Sequence, residues 1–258
     1  MPSPTRRVIL LGASNLTRSF STVVETARLT WQQPVDIMVA MGHGRSYVQD
    51  SRVWARKISG IFSCGLWRQL RDRSPLPTAA LATDIGNDLL YDVPVDRVFE
   101  GVRACVDRLA DAGATTIITR LPLDSLDRLG EARFRFFRRL FFPRSQLTLE
   151  AIKELAYALD ARLAELAKCP KTSLISASGD WYGLDPIHLR RRAWREAWPV
   201  LLSAWRASDQ PPIAPRPTWW RTAYLAALGP WEDTWFGIPR RCRQPAGTLN
   251  DGTTISLY

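Results

Sequence analysis

Two histidines occur in the chain, His43 and His188, and the second follows an aspartate by three positions in Asp180-Trp-Tyr-Gly-Leu-Asp-Pro-Ile-His188. An imidazole takes and returns a proton near neutral pH, and a carboxylate on its other nitrogen holds the ring for that work. Asp185 is placed to do so for His188. Near the other end of the sequence, the apolar run Val8-Ile-Leu-Leu11 stops at Gly12-Ala13-Ser14-Asn15, which sets a serine at the end of an expected buried strand. Alone, such a serine reads equally as the N-cap of the next helix. Beside an imidazole and a carboxylate it completes the parts of a nucleophilic relay, in which the base removes the hydroxyl proton as the oxygen attacks an electrophilic carbon.

These groups are far apart in sequence, so the elements between them must bring them together. Short apolar runs at 8–11, 35–40, 79–84, 115–121 and 172–177 read as strands, and amphipathic stretches at 94–112, 149–166 and about 189–205 read as helices. Alternation of the two predicts an α/β fold, a three-layer sandwich with a mainly parallel five-stranded sheet. Ligands of such sheets bind beyond the carboxyl ends of the strands. The first expected strand runs into Ser14, the second into Gly42-His-Gly-Arg-Ser46, the third into Ile85-Gly-Asn-Asp88, and the last into the Asp185/His188 segment. All the polar candidates therefore fall on one edge of the expected sheet.

Composition narrows the classes. The net charge is +10 with most positive charge on dispersed arginines, which reads as a basic solvated surface; no obligatory nucleic-acid partner is expected, and peripheral contact with anionic lipid stays open. Cys64, Cys105, Cys169 and Cys242 stand far apart, and with two histidines they offer no recognisable zinc set, so no metal or other cofactor is expected and the cysteines read as buried thiols. The N-terminal apolar run is too short for a secretory signal and no run approaches the roughly 20 residues of a membrane helix, which places the expected location in the cytoplasm. The expected organisation is a main domain over 1–206 and an extension over 207–258. In the extension Pro211, Pro212, Pro215 and Pro217 precede Trp219 and Trp220, and Trp231 and Trp235 come after; it reads as loop-like and wrapped on the domain or against a partner. The run Arg133-Phe-Arg-Phe-Phe-Arg-Arg-Leu-Phe-Phe142 places Phe134, Phe137 and Phe141 on one helical face, either as core packing, as a hydrophobic lid, or as a surface for anionic lipid. The oligomeric state is not legible.

The blocks Gly12-Ala-Ser14-Asn-Leu, Gly44-Arg-Ser46, Gly86-Asn87-Asp88 and Asp185-Pro-Ile-His188, in that order, resemble those of the SGNH hydrolases, the superfamily of the GDSL esterases and lipases, over roughly residues 7 to 205. The resemblance implies a flavodoxin-like α/β/α domain and a serine esterase acting on a small-molecule ester. It implies Ser14 as nucleophile, His188 as base and Asp185 as its orienting carboxylate. It further implies an oxyanion hole from the backbone N–H of Ser14, the backbone N–H of Gly44 and the side-chain amide of Asn87. Two departures stand out: Ala13 replaces the usual aspartate before the serine, and Ile85 occupies the first glycine of the usual Gly-x-Asn-Asp. Gly42 competes with Gly44 as the second donor. His43 and Arg45 are candidate substrate contacts at the rim, Arg45 for an anionic group, whereas Asp84 and Asp88 read as supports of the loop after the third strand. Acyl transfer to an alcohol would use the same groups as hydrolysis. A basic nucleic-acid or membrane-binding protein on an inactive hydrolase fold is the alternative of another class.

Overall fold

The apolar runs pair side by side, and the alternation of their side chains divides the core in two. The computed structural model describes residues 2–53, 55–143, 145–206 and 213–258; Arg144 of the aromatic loop region and Pro211 and Pro212 of the extension lie outside them. The chain runs β1 (Arg6–Leu11), α1 (Ser14–Arg18), α2 (Phe20–Trp31), β2 (Val35–Ala40), β3 (Ser51–Val53), β4 (Arg56–Ile58), α3 (Leu66–Asp72), β5 (Thr78–Ala82), α4 (Val95–Asp111), β6 (Thr115–Thr119), α5 (Leu123–Asp127), α6 (Glu131–Phe141), α7 (Leu149–Leu166), β7 (Thr172–Ile175), α8 (Trp194–Leu201), α9 (Trp219–Ala227), β8 (Glu232–Trp235), β9 (Ile238–Arg241), β10 (Gly247–Thr248) and β11 (Thr254–Leu257), with short 3-10 turns between. The central sheet has the order β10-β11-β2-β1-β5-β6-β7, parallel except for β10. Ile9 and Leu11 of β1 face the layer of α4 and α7, while Val8 and Leu10 face that of α2 and α8. The result is a three-layer α/β/α sandwich.

The five expected strands form the contiguous block β2-β1-β5-β6-β7; the extension supplies the other two, β11 and β10, at the β2 edge. It is not loop-like. Within it α9 forms, β8 and β9 pair as a hairpin that joins β3 and β4 in a small antiparallel sheet, and β11 adds in parallel to β2. The reason is that β2 would otherwise present an open edge; β11 covers it and buries Ile255 and Leu257. Four residues of alternating Thr-Ile-Ser-Leu are too few for periodicity to announce. The extension's indoles are also less buried than their number suggested, since Trp219 and Trp220 are exposed and stack on one another.

The helix expected over about 189–205 is broken. A 3-10 turn at Arg191–Ala193 precedes α8, and another at Ser203–Trp205 comes after it. Its first residues are held elsewhere: Arg190 N–H donates to the Trp181 carbonyl at 2.8 Å, and Leu189 bridges to Tyr182. The four cysteines are free thiols, with Cys64 and Cys105 buried as expected and Cys169 exposed. No helix among the described residues is long and apolar enough to cross a membrane.

Candidate functional site

The site forms where β1, β5 and the segment after β7 end together. Gly12 closes β1 so near β5 that a Cβ there would lie 2.6 Å from the Thr83 methyl, which requires a residue without one. Two residues on, Ser14 opens α1 and is buried. Its Oγ lies 2.8 Å from His188 Nε2, and His188 Nδ1 lies 2.5 Å from Asp185 Oδ2. The other Asp185 oxygen accepts the backbone N–H groups of Ile187 at 3.1 Å and His188 at 3.2 Å. Desolvation raises the Asp185 pKa, but the hydrogen bond and charge of His188 and those two N–H groups outweigh it, so the carboxyl titrates below its ordinary value.

Two further residues, neither assigned a part beside Ser14 and His188 from the sequence, hold the Ser14 turn against the histidine turn. Asp84, at the end of β5 with φ of 60°, turns one oxygen onto the N–H groups of Ala13 (2.8 Å), Asn15 (3.1 Å) and Leu16 (3.3 Å). A carboxylate from beyond β5 thus holds the backbone around Ser14. Asn15 donates to Asp84 Oδ1 at 2.8 Å and to the Ile187 carbonyl at 2.9 Å, and accepts the Leu189 N–H at 2.8 Å. Behind the histidine turn, Ser125 donates to the Pro186 carbonyl, and Arg133 of α6 to those of Gly183 and Leu184. Asp84→Ala removes the acceptor of three N–H groups beside the serine and is expected to lower stability by about 2–4 kcal/mol. Urea unfolding checks this; an unchanged midpoint would mean that water replaces the carboxylate without loss.

The second block is anchored from below. Gly44 has φ of 60°, a conformation that favours glycine, and its carbonyl accepts the Tyr91 hydroxyl at 2.7 Å. Gly42 is instead a packing glycine, since a Cβ would meet Ile58 Cδ1 at 2.4 Å. Arg45 does not face a substrate. It is 1% exposed, and its guanidinium donates to the carbonyls of Ser59 (3.0 Å), Met41 (3.2 Å) and Tyr258. A planar fork of donors here satisfies carbonyls left over by strand ends and by the chain's last residue, so the expected substrate contact at Arg45 is corrected to an internal brace. Arg45→Met should therefore cost about 3–5 kcal/mol by stranding those carbonyls. A chemical denaturation midpoint within error of the parent protein would contradict it.

Asp88 joins the second block to the third. It pairs with the Ser46 hydroxyl and accepts the Tyr47 N–H at 2.9 Å, and burial pushes its pKa up against those hydrogen bonds. Ile85, where a glycine was expected, packs into the core. Asn87 is 8% exposed, yet its Nδ2 has no hydrogen-bond partner. His43 stands exposed at the rim, its pKa lowered by desolvation first and then by the positive charges of His188, Arg18 and Arg56. Contact geometry thus joins Ser14, His188 and Asp185 directly, keeps Gly44 and Asn87 on turns braced to the same strand ends, leaves His43 at the rim and removes Arg45.

A cavity of about 120 Å³ is lined by Asn15, Asn87 and residues of α6. Phe134, Phe137 and Phe141 of α6 form one wall, as their shared helical face predicted, and Phe141 meets the His188 ring edge-on at 5.4 Å.

No family model and no curated protein matches the sequence. Among solved structures, a psychrotrophic esterase, EstA from Pseudoalteromonas sp., in a form inhibited by monoethylphosphonate, is similar at 14% identity, with 76% of this chain and 95% of that chain covered and a TM-score of 0.47. A second structure is similar at 14% identity over 74% of this chain and 92% of its own, with a TM-score of 0.46.

Proposed function

We propose that the protein is a serine esterase of the SGNH type that cleaves a carboxylic ester through an acyl-enzyme. The observation that carries this reading is the unbroken line Ser14 Oγ, His188 Nε2, His188 Nδ1, Asp185 Oδ2, with contacts of 2.8 and 2.5 Å. A serine hydroxyl is a weak nucleophile until a base takes its proton. In the proposed reaction Ser14 Oγ bonds to the ester carbonyl carbon as its proton passes to His188 Nε2, and Asp185 stabilises the resulting imidazolium through Nδ1–H. The carbonyl electron pair moves onto oxygen, where the Ser14 N–H, the Gly44 N–H and Asn87 Nδ2 receive it. Collapse of this intermediate breaks the bond to the alcohol oxygen, which leaves with the proton from His188. Water then attacks the acyl-serine, giving its proton to His188, and the carboxylic acid departs as Ser14 regains its hydrogen.

Such an oxyanion donor contributes on the order of 3–4 kcal/mol when aimed at the developing charge. The Asn87 Nδ2 group is buried and not committed to another acceptor in the protein, as a donor for that charge requires. Incubation with a fluorophosphonate probe followed by digestion and mass spectrometry tests the reading without knowledge of the substrate. A phosphonyl adduct at Ser14, absent in His188→Ala, is the expected result; a folded protein that stays unlabelled overturns it.

A further inference from the structure

We propose that the cavity under α6 is an acyl-chain pocket, so that the ester opened at Ser14 carries a linear aliphatic acyl group of medium length. This rests on the esterase reading above and names its substrate class. Asn15, which follows Ser14 in the chain, and Asn87 line the cavity together with Phe141, whose ring meets that of His188. The departing alcohol oxygen must face His188 Nε2 to collect its proton, whereas the oxyanion must face Asn87. The arm of the ester that continues past Asn87 into the cavity is therefore the acyl chain, and the alcohol lies toward the rim at His43.

The lining matches a hydrocarbon. Phe134, Phe137 and Phe141 face Leu129, Ile152 and Ala156 across it. Several polar residues on its wall are turned to other partners: Thr119 donates to Thr83 at 2.9 Å, Arg120 to Asp160 at 2.9 Å, and Asn15 to Asp84 and Ile187, while Arg138 gives Nη1 to the Leu147 carbonyl at 2.7 Å and keeps a buried Nε without a partner. A sugar, with a hydroxyl on nearly every carbon, would find few partners along a wall that is mostly apolar, and its desolvation would go largely uncompensated. The cavity passes from Asn87, after β5, across Leu121, after β6, to Ala177, after β7. Two strand spacings span roughly 10 Å. A staggered alkyl chain advances about 1.25 Å per carbon, so on the order of eight carbons fill that path.

The test uses phosphonofluoridates with a constant O-ethyl group and a P-alkyl chain from methyl to dodecyl, the P-alkyl arm standing for the acyl chain. The labelling rate at Ser14 should rise about fourfold per methylene, to an optimum near octyl. In Ala156→Phe, where an aromatic ring enters the cavity from α7, the ratio of octyl to methyl rates should fall to within a few-fold of unity. Phe137→Ala, which enlarges the cavity, should move the optimum to longer chains and guards against misfolding of the first variant. Labelling of Ser14 with a flat or declining chain-length profile, or a profile that neither variant alters, overturns the pocket while leaving the activated serine intact. If no probe labels Ser14, the esterase reading has failed instead, and photo-crosslinking with a diazirine-bearing octanoic acid decides the pocket: adducts on α6 and α7 residues of the cavity uphold it, adducts elsewhere overturn it.

Discussion

Hydrolysis of a small activated ester is expected to fall by about five to six orders of magnitude in kcat when His188 is replaced by alanine, with little change in KM. The same loss is expected for Ser14→Ala, and the double variant should be no worse than either single one, because the hydroxyl and the imidazole act as one unit and removing either disables both. Asp185→Asn should retain the geometry but favour the wrong tautomer of the ring, for a loss on the order of 10⁴. Steady-state kinetics of the three variants check this; a His188→Ala protein within a hundredfold of the parent would show that another base, with His43 the only other imidazole, does the work. The acid limb of the pH profile follows from the same contacts. Since Asp185 is held below its ordinary range, it stays charged until the pH falls below the usual carboxylate value, and the acid limb does not report its protonation. Its contribution to stability has the matching sign: present above the unfolded carboxyl value of about 4, lost as pH falls through the lower folded value. Asp185→Asn should accordingly flatten the stability curve in that acid window.

Replacing Asn87 by alanine is expected to lower kcat by about 10²–10³ while leaving the unfolding midpoint unchanged or slightly raised. Most buried amides would behave otherwise, because their removal strands a partner. Asn87 Nδ2 has no partner in the resting protein, so its deletion relieves an unsatisfied donor and costs only the interaction made in the transition state. Asn87→Asp should be worse still for activity, since a carboxylate would face a developing negative charge. The combination to measure is kcat together with a urea midpoint. Loss of both in parallel would assign Asn87 to the architecture of its turn and leave the oxyanion without its side-chain donor.

The residues that carry the proposed chemistry were legible because their relations are local. Asp185 and His188 stand three apart, so one turn lets the carboxyl reach the ring and two backbone N–H groups at once. Ser14 and Asn87 come after strands that their apolar runs announce, and the Phe face of α6 is a matter of helical spacing. What the tertiary structure decided are the long-range supports. Asp84 reaches the Ser14 turn across 68 to 71 residues of sequence, and Asn15 reaches the histidine turn across 172. Arg45 reaches the last residue across 213. A sequence pattern reports which face of an element is apolar and where it ends; it carries no period for which strand end will meet which loop. A buried arginine and an exposed one therefore look alike in the chain, and Arg45 read as a rim contact until the C-terminal strand took its place beside β2 and set the Tyr258 carbonyl against it.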